Sequence, residues 1–309
     1  MRGPENSKII LDAIGLFVAA ALVGVAVSAH PPTQNVLLGV ATSFIFLAIF
    51  DILLAAQRSV LKRTATKFFG PELARGNVTF VYPDFEPHRE VKRALNAAGA
   101  RMRYQRPTSR VRALGDFWID VPQSAASNDI EAILLMAGIF GGLPARPDSL
   151  MTDRRLIDSC DRSFISVGFT SSACTYLYLE HAGRDKLFDI VPEPPGSKRR
   201  MYARTSDGRE FRSDDRNQYG LIVRYAPDRR NHPGRRWFII GGLGPQGTIG
   251  AAWYLAEHWR QLARLTRPDQ DFAAFVCVPA MAPRGAYLPD NGICTGPPPT
   301  HPAAPLLVP

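Results

Sequence analysis

The chain of 309 residues predicts an α/β protein: an N-terminal two-helix transmembrane hairpin followed by a largely parallel sheet flanked by helices. Three observations lead there. Two long apolar runs fill most of the first 56 residues, short β-rich runs alternate with helical ones from Asn77 onward, and glycine-rich bends separate strand from helix in that second part. The composition agrees, with 46% apolar and 21% charged residues, enough for a sizeable core and too apolar for a solvated coil. A formal net charge of +9 favours an anionic neighbour, such as phosphates or an acidic membrane face. Cys160, Cys174, Cys277 and Cys294 stand singly, without the spacing of a zinc knuckle or a disulfide framework, so neither metal nor cofactor is expected.

Residues 13–29 carry no charge, and neither do residues 36–50, which Ile52 to Ala56 extend beyond Asp51. Each run is about long enough to cross a hydrocarbon layer as a helix, at roughly 20 residues per span. Residues 30–35, with Pro31 and Pro32, read as the turn between them. Arg2 and Lys8 precede the first run, Arg58, Lys62, Arg63 and Lys67 follow the second, and the turn has neither Lys nor Arg. Both ends are therefore expected in the cytoplasm of a multi-pass inner (cell) membrane protein, the bulk of the chain with them. A cleaved signal peptide ending at Val27-Ser28-Ala29 is the rival reading of the first run. Ala20, Gly24 and Ser28 form a small-residue stripe suited to close helix packing, within the hairpin or between copies. Asp12 and Asp51 fall just inside the cytoplasmic boundary, where carboxylates reach water or a neighbouring cation.

The organisation follows: hairpin 1–60, juxtamembrane linker 61–76, cytosolic α/β body 77–280 with an insertion at 189–218, and a proline-rich disordered tail 281–309. In the body, 78–82 reads as a strand, 87–98 as a helix opened by Pro87 and stopped by Gly99, and 101–104 as the strand completing a βαβ unit. Residues 117–121 read as a further strand and 128–140 as an apolar helix. Residues 163–167 form a strand that breaks at Gly168 and leads into a helix through Glu180. In the insertion, Ser206-Asp207-Gly208 reads as a hairpin turn between 201–204 and 209–212, outside the core. Strands at 221–225, 237–240 and 272–278 complete the sheet, the last two flanking a helix from about 248 to 264. Nine prolines in residues 279–309 argue against a packed core there.

The sharpest local signal is Gly241-Gly242-Leu243-Gly244-Pro245-Gln246-Gly247-Thr248. Gly242, Gly244 and Gly247 match the spacing of a dinucleotide-binding bend in the required strand-to-helix setting, where glycines let the backbone approach a phosphate and helix-start amides bind it. A bend that merely packs helix on sheet uses the same residues. The acidic residue that a nicotinamide fold places after the next strand is missing, because that strand ends in Val278-Pro279-Ala280-Met281. Gly168, Thr170, Ser171 and Ser172 form a second bend, whose hydroxyls either cap the helix or donate to an oxyanion. Both bends belong at the carboxyl edge of a parallel sheet, where open α/β folds bind ligands. Arg224 and the basic insertion offer charge balance for a phosphorylated ligand, and Asp84 offers a ribose contact or a helix cap; Asp120, Asn128 and Asp129 carry the same ambiguity.

The run Tyr219-Gly220-Leu221-Ile222-Val223-Arg224, the bend from Gly241 to Thr248 with Ala251-Ala252 behind it, and the segment from Ser163 to Gly168 resemble a group of bacterial α/β domains of Rossmann-like type, over residues 77–280. The layout also resembles membrane effectors of nucleotide-signalled anti-phage defence. That resemblance implies a soluble domain that senses a nucleotide messenger and membrane helices that respond. The expected function is thus a membrane-anchored, non-enzymatic sensor of a nucleotide or other phosphorylated small molecule, self-associating as a homo-oligomer and acting on the lipid bilayer, with nucleic acid not expected as a partner. The alternative is a membrane-tethered enzyme acting on a nucleotide or its glycosidic bond through Asp84, Asp120 or Glu257. A scaffold binding a partner through the proline-rich tail is a third reading.

Overall fold

The computed structural model describes residues 18–27, 30–84, 100–103, 117–120, 126–143, 146–157, 160–194 and 201–297. The chain divides into two compact units, Met1–Arg63 and Thr64–Pro309. In the first, α1 (Val18–Val27) precedes α2 (Pro31–Phe69), a 39-residue helix long and apolar enough to cross a membrane. The expected turn at 30–35 is helical from Pro31 onward, because proline lacks the amide that a first helical turn leaves unpaired anyway. The amide of Gln34 makes the first α-helical bond there, to His30 O at 2.9 Å. Thr42 and Ser43 turn their hydroxyls onto the carbonyls of Leu38 and Gly39, hiding polar atoms along an apolar face. Ala19 and Ala26 on α1 and Ala41 and Ala48 on α2 are buried, each pair seven residues apart. Of the expected small-residue stripe, Ala20 and Gly24 are exposed, with nothing within 4 Å of a Cβ placed on Gly24. Asp12 and Ser28 lie outside the described residues.

The expected linker 61–76 is mostly helix, since α2 continues to Phe69 and α3 (Pro71–Arg75) follows. Next come β1 (Asn77–Tyr82), β2 (Ala100–Arg103), β3 (Phe117–Asp120), α4 (Ser127–Gly141), β4 (Arg146–Thr152), α5 (Asp153–Ile157), β5 (Phe164–Val167) and α6 (Ala173–Ala182). After a short 3-10 turn follow β6 (Phe188–Pro192), β7 (Met201–Thr205), β8 (Glu210–Phe211), β9 (Asn217–Tyr225), β10 (Trp237–Gly242), α7 (Pro245–Leu265), β11 (Phe272–Pro279) and β12 (Ile293–Thr295).

The central sheet has the order β12-β11-β9-β10-β5-β1-β4. Strands β4, β1, β5, β10 and β11 run one way and β9 and β12 the other, so the sheet is mostly parallel. The expected βαβ unit from 78 to 104 does not form in this sheet, because β2 pairs with β3 in a separate two-stranded sheet. The neighbour of β1 is β4, whose polar sequence Arg-Pro-Asp-Ser-Leu-Met-Thr carries no alternating apolar signal. The helix expected at 87–98 lies outside the described residues.

Both faces of the sheet are buried, as a sheet with mostly parallel strands requires. On one face, Phe238 and Phe272 meet Phe68, and α4 and α7 supply Phe140 and Trp259 to the same aromatic cluster. On the other, Ile239, Val223 and Phe275 pack with Tyr178 of α6 and with Phe188, Ala203 and Phe211 of the three-stranded β6-β7-β8 sheet. The rings of Phe211 and Phe275 stack at 4.1 Å. The insertion is therefore part of the core, and its polar composition reflects only its outer side. Its hairpin turn is as expected, with Gly208 at φ 89°.

The chain beyond 281 is also part of the fold. Strand β12 pairs with β11, Tyr287 bridges to Cys277, and the amide of Phe275 reaches Gly292 O at 2.7 Å. Pro283 opens a 3-10 turn and Pro289 opens a turn that the amide of Gly292 closes at 2.8 Å, leaving residues 290–296 free of proline to pair. Residues 298–309 lie outside the described residues.

Candidate functional site

A cavity of about 480 Å³ opens at the carboxyl ends of β1, β5 and β10. Three strand ends and two helix starts build it. Pro83 and Asp84 follow β1, Gly168 to Ser171 follow β5, Gly242 ends β10 and Gly244 follows it, Asn128 and Asp129 open α4, and Pro245 and Thr248 open α7. Of the residues expected to bind ligand, Asp84, Gly168, Thr170, Ser171, Gly242, Gly244 and Thr248 line this one space; Ser172, Gln246, Gly247 and Arg224 do not.

The bend after β10 is tight for packing reasons. A Cβ on Gly242 would sit 2.4 Å from the backbone of Gly247 and Thr248, so the glycines bring α7 against the strand end. The amide of Gly247 donates to Gln218 Oε1 at 3.1 Å, a side-chain cap supplied by β9. The bend after β5 is equally tied down. Gly168, at φ 99°, donates to Ile240 O at 2.8 Å, and Ser172 Oγ accepts from the amide of Cys174 at 3.3 Å while touching Ser166 Oγ at 3.1 Å. Ser172 is thus a helix cap, fully buried.

Asp153, which the sequence pattern did not single out, holds the edge together. Its buried carboxylate accepts from the amides of Asp84 at 3.1 Å, Arg154 at 2.8 Å and Ala173 at 2.7 Å, joining the ends of β1, α5 and α6. Three amides converging on one carboxylate were invisible in sequence, because the contacts span up to 69 residues.

The charged side chains of the described lining are acidic. The amides of Gly168, Ala173, Cys174 and Gly247 already have protein acceptors. Among the described residues, the lining contains two carboxylates, Asp84 and Asp129, and neither Lys nor Arg. Arg154 Nε lies 3.7 Å from Asp84 Oδ2 and is largely exposed, a cation beside the cavity and not within it. Asp129 is 7% exposed, and burial pushes its carboxyl up to about 6.

Arg224 belongs elsewhere. Strand β9 runs antiparallel to β10 and pairs Arg224 with Phe238, at the end of the sheet opposite the cavity. Its guanidinium is buried between the rings of Phe68 and Phe272 and donates to the carbonyls of Phe68, Arg267 and Gln270. Burial lowers its pKa to about 9, which leaves it charged at neutral pH.

Among the described residues no cluster of His, Cys, Asp or Glu is arranged to hold a metal. Glu257 is on α7 away from the cavity lining, and Asp120 lies in β3 of the separate small sheet. No protein-family model, curated protein or solved structure matches the chain.

Proposed function

We propose that the protein is a membrane-anchored receptor whose cavity binds a hydroxyl-rich small molecule of the nucleoside or nucleotide class. The observation that carries this reading is the convergence of both glycine bends with Asp84 and Asp129 on one cavity of about 480 Å³ at the sheet's carboxyl edge. Paired carboxyls and exposed hydroxyls of Thr170 and Ser171 suit a ribose, whose hydroxyls both donate and accept. Two acidic groups in the described lining favour a ligand with a neutral sugar there, and Arg154 beside Asp84 suits a phosphate at the rim. Among the nucleotides and other phosphorylated small molecules expected of the sequence, this favours one bearing a sugar.

The anchor in this reading is a two-helix hairpin of α1 and α2, supported by buried alanines at seven-residue spacing on both helices. The positive-inside rule places the α/β unit, Rossmann-like in its binding edge, in the cytoplasm under the inner membrane. The open faces at Ala20 and Gly24 are then available to a second copy, and ligand binding shifts self-association by its differential affinity for the two states. The layout is that of a nucleotide-gated membrane effector of anti-phage defence.

Isothermal titration of the detergent-solubilised full chain with adenosine, AMP, ADP-ribose and inorganic pyrophosphate tests this. Binding of the ribose-bearing compounds, lost in Asp84→Asn, supports the reading; binding of pyrophosphate alone overturns it. The raised pKa of Asp129 favours one second reading, cleavage of a glycosidic bond with Asp129 as the acid. Release of free base, abolished in Asp129→Asn, separates enzyme from receptor.

A further inference from the structure

The cavity and the last turn of α2 share two helices. Helix α4 presents Asn128 and Asp129 to the cavity at its start and Phe140 to the aromatic cluster near its end. Helix α7 presents Pro245 and Thr248 to the cavity at its start, and Trp259 to the same cluster. At 1.5 Å per residue, the two arms are about 18 and 21 Å long. What they hold at the far end is Phe68 and Phe69, the last residues of α2, both buried. Phe69 lies 5.2 Å from Phe140 and 5.4 Å from Trp259, and Phe68 lies 6.0 Å from Trp259, ring centre to ring centre. Arg224 caps this turn from below by donating to Phe68 O at 3.3 Å. A helix transmits displacement along its length, and a close-packed aromatic cluster does not deform continuously.

We infer that α4 and α7 form a paired lever coupling occupancy of the cavity to the seating of Phe68 and Phe69, and through them to α2. The inference rests on the cavity being the ligand site, and it assigns the regulation of that site. A ligand that draws the starts of α4 and α7 together moves their far ends against Phe69, loosening or tightening the last turn of α2. Because coupling is reciprocal, a change at Phe69 must alter affinity at a cavity about 20 Å away.

Hydrogen–deuterium exchange of amides 64–70 in the full chain in lipid nanodiscs tests this in two arms. One arm adds adenosine; the other uses Asn128→Trp, which fills the cavity from the start of α4 and needs no ligand. A changed exchange rate in 64–70 in either arm, together with an adenosine affinity shifted about fivefold or more by Phe69→Leu, supports the lever. Phe211→Leu, in the core on the other face of the sheet, is the control: it loosens packing without touching the lever, so an equal affinity shift there overturns the inference. Unchanged exchange in 64–70 both with adenosine bound and with Asn128→Trp in place overturns it as well. If adenosine does not bind, exchange in the Asn128→Trp arm alone decides the lever, a change supporting it and no change overturning it, and the failure to bind falls on the ligand reading alone.

Discussion

Asp129 sits in the first turn of α4, where a carboxylate favours the helix dipole, yet burial raises its pKa to about 6. A carboxyl raised on folding binds its proton more tightly in the native chain. Stability is therefore unpenalised below the ordinary carboxylate pKa and falls as pH rises toward about 6, where the loss levels off. Asp129→Asn is expected to stabilise the protein by up to about 2 kcal/mol at pH 8, with the gain shrinking toward zero near pH 4, in thermal unfolding at the two pH values. Arg224 gives the opposite case. Arg224→Met strands the buried carbonyl of Phe68 and the partly buried ones of Arg267 and Gln270 and should cost about 2 to 3 kcal/mol in urea unfolding, with Arg224→Lys recovering little because an ammonium lacks the guanidinium fork. At this scale the sequence was legible where a residue's chemistry is local. Gly168 and Gly242 were marked by their place between strand and helix. Arg224 was misplaced because only the direction of β9 says which end of the sheet it reaches.

The elements themselves were written plainly where apolar periodicity is strong, as in β5, β10, β11, α4 and α7. They were hidden where partners come from far along the chain. Strand β4 is polar because one margin of it is open, and the β6-β7-β8 sheet is polar on its outer side while burying Phe188 and Phe211. Proline content alone suggested a tail where β12 pairs with β11. A chain ended at Pro279 should lose about 5 °C or more in melting temperature by calorimetry and aggregate through the exposed β11. Gly242→Ala pushes a methyl into the backbone of α7 and is expected to cost about 1 to 3 kcal/mol, read from denaturant midpoints.

For the whole molecule, the division between Met1–Arg63 and Thr64–Pro309 matches the change in chemistry from apolar helix to mixed α/β. A chain beginning at Thr64 retains Phe68, Phe69 and every cavity residue, so it should remain in the supernatant after ultracentrifugation while the full chain sediments with membranes. The sequence conveyed this two-part plan because hydrocarbon and water select opposite compositions. It did not convey the strand order, which depends on the antiparallel β9 lying between β10 and β11. The two margins of that sheet have a further effect. One is the three-residue β12, and the other is β4, with Pro147 lacking an amide, an irregular register near its start, and exposed charge at Asp148. Both margins therefore discourage pairing with a second molecule, and fibre-like polymerisation by strand addition to the central sheet is disfavoured at each end.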